Sequence, residues 1–216
     1  MCGRFAMFSP PAKLKDLFVT DNLPNFPSRY NCAPMQELPI VISHRMGFGR
    51  WGFLPPWLQQ DDKSVAAKMI NARSETVAEK PSFKQSWEKK RRCLIPANGF
   101  YEWKKLDDGK GKQPFYIFHE HEVICFAGLW SKVNDIVSFT ILTKPASKSV
   151  SELHHRMPVA FRPVQAQSWF SADLNQAREL IEKENIIDFQ SYPVDSKVGK
   201  VANDSEDLIK EITARS

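Results

Sequence analysis

No apolar run in these 216 residues approaches the roughly 18 that a membrane-spanning helix requires, and the N-terminal stretch has no apolar signal segment. Neither a bilayer span nor a secretory leader is expected. Cysteines are few: four, at positions 2, 32, 93 and 125, and no two form a CxxC pair. The five histidines lack finger-like spacing, so no metal site is expected, and the thiols should stay free in a reducing compartment. That places the protein in the cytosol, or in the nucleus of a eukaryote. Internal repeats, low-complexity segments and coiled-coil heptads are also missing, which points to a monomer. No cofactor is expected.

Against these absences stands a 42% apolar composition with interspersed charge, enough for a packed core. Thirty Lys and Arg face 25 Asp and Glu, a formal charge of +5. This permits a polyanionic partner and equally suits an ordinary basic enzyme. Seven short runs rich in Val, Ile, Phe and Tyr read as strands: 38–43, 49–53, 92–97, 99–105, 114–118, 122–130 and 135–143. LDDGKGKQP reads as the hairpin loop between the fourth and fifth. Helices are expected over 9–18, over 74–90 with a break at Pro81, over 163–170, over 174–183 and over 205–212. No linker divides the chain. The expectation is one α+β domain over 1–216: a curled, mostly antiparallel, barrel-like sheet with flanking helices.

Cys2 is an odd place for a structural thiol, because chain ends rarely have a core to fill. Loss of Met1 would give Cys2 a free α-amine beside its thiol, both partly unprotonated near neutral pH. An aldehyde meeting that pair forms an imine, and the thiol closes on it to a five-membered thiazolidine. Two rival readings remain: an N-terminal nucleophile amidohydrolase or peptidase, in which the amine activates its own side chain, and a non-covalent single-strand binder with Cys2 idle. In INARSET, Asn71 offers hydrogen bonds and Arg73 a planar fork for phosphate, although turns commonly carry such residues. Period-two alternation in GFYEWKK puts Phe100, Glu102 and Lys104 on one face. Buried there, Glu102 would have a raised pKa suited to a general acid; exposed, it would be an edge-strand charge. LHHRMPV holds a histidine pair beside Arg156, and RWGFLPPW sets Trp51 and Trp57 about a Pro-Pro turn, with Trp57 the better candidate for stacking on a base. Cys93 and Cys125 lie in apolar runs and read as inert core.

Eight ordered segments together resemble the SRAP family of abasic-site processing proteins: MCGRF, YNCAP, RWGFLPPW, INARSET, CLIPANGFYEW, FAGLW, LHHRMPV and PVDSKVGKVAN. The resemblance spans nearly the whole chain and implies a compact β-rich α+β fold with a basic cleft around the N-terminus. It implies covalent capture of abasic sites in single-stranded DNA by Cys2. Asn71 would orient the amine and sugar, Glu102 would protonate the ring oxygen, and His154 would shuttle a proton. Arg4, Arg73 and Arg156 would grip phosphates, while Pro34 and Trp57 would wedge and stack at the strand junction. Self-removal of Met1 and AP-lyase activity are implied as well. The chain departs from the family pattern at Cys32, Leu58, His155 and Asp195.

Overall fold

The computed structural model describes residues 2–106, 109–120, 122–183 and 187–214. Five strands pair into a closed ring: β3 (Glu37–Ile42), β4 (Arg45–Trp51), β6 (Arg92–Ala97), β9 (Ile124–Val133) and β10 (Ile136–Pro145). The order is β10-β4-β3-β6-β9 and back to β10. Closure leaves no long free edge for another chain to pair with. Most pairs are antiparallel, as expected, but β10 runs parallel to β4 (Phe139↔Trp51) and to β5 (Asn71–Arg73; Ile141↔Asn71). Those parallel pairs bring the INARSET segment against the barrel wall. Beyond Ile141 and Gly128, β9 and β10 diverge, and β11 (Arg156–Pro158) and β12 (Ala160–Phe161) enter beside them.

A second sheet flanks the barrel in the order β13-β8-β7-β1-β2: β1 (Phe5–Met7), β2 (Arg29–Cys32), β7 (Gly99–Lys105), β8 (Lys112–Phe118) and β13 (Gln190–Pro193). The chain passes from barrel to second sheet at Asn98 and Gly99. There Asn98 Oδ1 accepts from Phe8 N and Ser9 N, at 2.8 and 3.0 Å, and Asn98 N donates to Ala6 O. A Cβ on Gly99 would lie 2.5 Å from the Tyr116 ring and 2.6 Å from Ile117 O, so this corner admits no side chain. The core runs through both sheets. Trp51, fully buried, sits 5.2 Å from Phe5 and stacks on Phe139 at 6.5 Å, and its indole N–H donates to Ile70 O at 2.9 Å. Cys93 and Cys125 are buried in this core, as their runs suggest.

Helices cover the outside: α1 (Pro11–Phe18), α2 (Lys63–Lys68), α3 (Pro81–Glu88), α4 (Lys148–Ser151), α5 (Ala166–Ser171) and α6 (Leu174–Lys183). Two expected helices differ. Residues 74–80 are turns, and α3 begins only at Pro81, whose missing N–H costs nothing in a first turn. In 205–212 a single 3₁₀ turn, Glu206–Ile209, forms. Ile212 N donates to Pro193 O and Tyr192 Oη–H to Ile209 O, which holds the following backbone extended. The β7–β8 hairpin is present, but Asp107 and Asp108 of its loop lie outside the described residues.

Candidate active site

β1 places the N-terminal segment along β7. Phe5 pairs with Phe100, and Tyr101 N donates to Arg4 O at 3.0 Å, which carries Cys2 past Glu102. From the barrel side, β5 delivers Asn71: its Nδ2 donates to Cys2 O at 2.8 Å. Asn71 Oδ1 is buried and meets no donor among the described residues. Cys2 itself is fully buried, with Sγ 3.8 Å from Arg4 O. Burial, and then the Glu102 carboxylate, push its thiol well above the ordinary thiol range.

Glu102 lies on the Phe100 face of β7 and is only 3% exposed. Burial raises its carboxyl to about 7, with Lys112 pulling the other way. A carboxyl poised there exchanges protons in both directions at neutral pH. His154 follows α4, held by His154 N donating to Val150 O at 3.1 Å. Its Nδ1 accepts from Arg156 N at 3.0 Å, and its ring stacks on His155 with centroids 4.4 Å apart. Burial first, and Lys112 among the nearby charges, hold the imidazole below its ordinary range, so it is neutral at pH 7. The Lys112 ammonium therefore acts on both Glu102 and His154. Cys2, Asn71 and Glu102 thus gather where the two sheets meet, and His154 shares the field of Lys112 with Glu102.

The expected DNA-contacting residues divide. Arg73, at the end of β5, is exposed, and Trp57 in the Pro55–Pro56 turn is 60% exposed. Pro34 sits half-buried in the turn after β2, where Met35 adopts a left-handed φ of 69°. Arg4 is spent inside the protein: Nη1 donates to Asn31 Oδ1 at 3.1 Å and to Val198 O at 2.7 Å. Arg156 departs furthest from the phosphate-gripping role. It is 8% exposed, its guanidinium forks onto Glu75 (Nη2 to Oε2, 2.9 Å), and Nη2 also donates to Thr143 O at 2.6 Å. The pair holds Glu75 down at about 2. In this arrangement Arg156 ties the INARSET segment to β10 and leaves little room for a phosphate.

Sequence reasoning missed three contributors. Lys112 carried no motif. Glu75 is 81 residues from Arg156, and nothing in the sequence pairs them. Asn31 Nδ2 bonds to Val198 O, Lys200 O and Asn203 O, while Asp204 accepts from Tyr30 N and Asn31 N. This lacing of 198–204 behind β2 explains why YNCAP and PVDSKVGKVAN stand out as motifs. Among the described residues one cluster of metal-ligand types gathers, His119, Glu120 and Glu122. Arg162 Nη2 lies 3.2 Å from His119 Nε2, where it would repel a cation.

The family model described as SOS response associated peptidase (SRAP) matches residues 1–201. The abasic site processing protein YoqW of Bacillus subtilis is 36% identical, over 97% of this chain and 99% of that protein. The abasic site processing protein YedK of Escherichia coli is 29% identical, over 98% and 100% respectively. A Bacteroides thetaiotaomicron crystal structure superposes with a TM-score of 0.87 over 98% of this chain and 100% of that one, at 21% identity, and so shares the fold. With the family model covering nearly its full length and curated relatives aligned end to end, the chain belongs to the SRAP family.

Proposed function

We propose that the protein processes abasic sites, capturing them covalently on single-stranded DNA through Cys2. The observation that carries the reading is the Cys2 backbone, held at 2.8 Å by Asn71 beside a carboxyl raised to about 7. The relatives YoqW and YedK, abasic site processing proteins, supply the substrate class. An abasic deoxyribose rests mainly as a closed hemiacetal. Glu102, half protonated near neutrality, gives its proton to the ring oxygen as the ring opens to the aldehyde. The α-amine of Cys2, free once Met1 is removed, adds to that carbon, and water leaves to form an imine. Cys2 sulphur then bonds to the same carbon, the C=N pair collapses onto nitrogen, and nitrogen takes up a proton. The thiol's own proton passes to neutral His154 or to the Glu102 carboxylate.

Asn71 supports the geometry at both ends of its amide. Nδ2 fixes the Cys2 carbonyl, and buried Oδ1 is an acceptor for the reacting amine. An unclosed imine would acidify the adjacent sugar carbon and allow β-elimination of the 3′ phosphate, which is the AP-lyase outcome. Ring closure removes that electron sink and spares the strand. Removal of Met1, a peptide hydrolysis in keeping with the family's description as a peptidase, uses the same neighbouring acid and base. Exposed Trp57 offers a stacking face and exposed Arg73 a phosphate contact, with Pro34 as a wedge at the strand junction.

The test is a denaturing gel with a single strand carrying one abasic site, run beside intact-protein mass spectrometry. A shifted band that survives denaturation is expected from protein lacking one methionine, and none from Cys2→Ala. Cys2→Ser keeps the amine and should give an adduct only after borohydride reduction. Failure of the Met-free protein to shift the strand rejects covalent capture.

A further inference from the structure

We propose that a pocket between the end of β10 and α6 seats a backbone phosphate of the bound strand, with Lys144 and Arg178 as its cationic ligands. The inference rests on the single-strand reading above and extends it to a contact outside the reacting centre. The pocket, of about 210 Å³, is lined by Ser74, Glu75, Lys144, Pro145, Arg178 and Ile181. Glu182, exposed on α6, also borders it.

Three features make this a site for an anion. Lys144 Nζ donates to Ile181 O at 3.2 Å, a carbonyl in the last turn of α6, which fixes the ammonium and leaves further N–H donors for a ligand. Among the described residues no carboxylate pairs with Lys144 or Arg178: of the two lining acids, Glu75 is committed to Arg156 and Glu182 is exposed on α6. Burial holds Lys144 below the ordinary lysine range, so its ammonium is poorly solvated and an incoming anion would stabilise it. Pro145 and Ile181 supply an apolar wall for the sugar carbons.

The position suits a strand whose sugar reacts at Cys2. Ser74 follows Asn71 by three residues, in the turn that ends β5, at most about 10 Å along the backbone. Ser74 N donates to Thr143 O at 2.9 Å, which sets the pocket against the residue preceding Lys144. Arg73, exposed between Asn71 and the pocket, continues the positive track. A phosphate close to the abasic sugar lies within reach of this seat.

The probe is a fluorescent single strand with a tetrahydrofuran abasic analogue, which has no aldehyde and reports binding alone. Lys144→Gln combined with Arg178→Gln should weaken binding about tenfold and make the salt dependence of log affinity shallower by one to two contacts. Arg178→Gln alone, at an exposed position, should give a smaller loss in the same direction. A Lys13→Gln, Lys15→Gln pair removes the same charge from α1 as a control for net charge. Neutral methylphosphonate linkages placed one at a time should cost wild type affinity at one linkage and cost the double variant nothing more there. Equal affinity and equal salt slope in wild type and both variants, at matching melting temperatures, overturns the proposal. So do additive losses in the linkage scan. If wild type binds the analogue with these signatures yet forms no adduct with a true abasic strand, the phosphate seat stands and covalent capture falls.

Discussion

Replacing Glu102 with Gln should make the protein more stable and less active at the same time. The carboxyl titrates at about 7 in the fold against 4.5 ordinarily, with burial as the leading cause. At about 1.4 kcal/mol per tenfold change in proton affinity, charging this buried group costs the folded state about 3 kcal/mol. The raised value fixes the sign. Below about pH 4.5 both states hold the proton and nothing is lost; as pH rises through 7 the folded state ionises at a penalty, and stability falls. Glu102→Gln keeps the shape and removes the titration. Urea unfolding of the two proteins should agree near pH 4.5 and diverge above it, with the variant ahead by up to about 3 kcal/mol at about pH 8. Adduct formation should fall about 10²–10³-fold in the variant and lose the inflection near pH 7. Parallel stability curves from about pH 4.5 to 8 would refute the assignment of Glu102 as a buried, high-pKa acid.

The remaining predictions concern neighbouring contacts. Asn71→Ala removes the 2.8 Å bond to Cys2 O and should cost about 1 kcal/mol of stability and most of the adduct-forming rate, read by urea unfolding and by gel. Arg156→Met should destabilise by about 1–3 kcal/mol, because it strips Glu75 of its guanidinium and leaves Thr143 O with only the Ser74 N donor; unfolding at neutral pH checks this. In wild type the same pair holds down to about pH 4.5, and its contribution is lost as pH falls towards 2. Gly99→Ala should cost about 2–3 kcal/mol or prevent folding, since the new methyl meets the Tyr116 ring and Ile117 O; thermal unfolding and yield report it. Trp57→Ala should leave the melting temperature nearly unchanged yet weaken single-strand binding about tenfold or more, whereas Trp51→Ala should cost about 3–5 kcal/mol.

Strands long enough to carry their own pattern were legible. The runs at 92–97 and 99–105 match β6 and β7, because six or seven β-favouring residues between turn signals suffice to define a strand. Strands of three or four residues were not. β1, β5 and β11 are too short to show period-two alternation, and two of them pair far away in the chain, Phe5 with Phe100 and Asn71 with Ile141, which appears only in the fold. Residues 74–80 look helical by composition and lose to a tertiary contact, the Glu75–Arg156 pair. At the site the sequence offers residue types, and the fold decides their availability. Arg73 and Arg156 read alike as phosphate ligands, yet one is exposed and the other enclosed by a carboxylate and a carbonyl. Burial of Glu102 could be framed in advance from its face-mate Phe100; burial of Cys2 could not, since nothing near it in sequence covers it.

The lacing of residues 198–204 onto Arg4 and Asn31 has a consequence for synthesis. Arg4, at the foot of β1, is made 194 residues before the Val198 carbonyl that steadies it. Until then β1 lacks its rear support, so the N-terminal strand is set late in the life of the nascent chain. A polypeptide released early, short of Val198, would carry Cys2 on a strand without the scaffold that holds it.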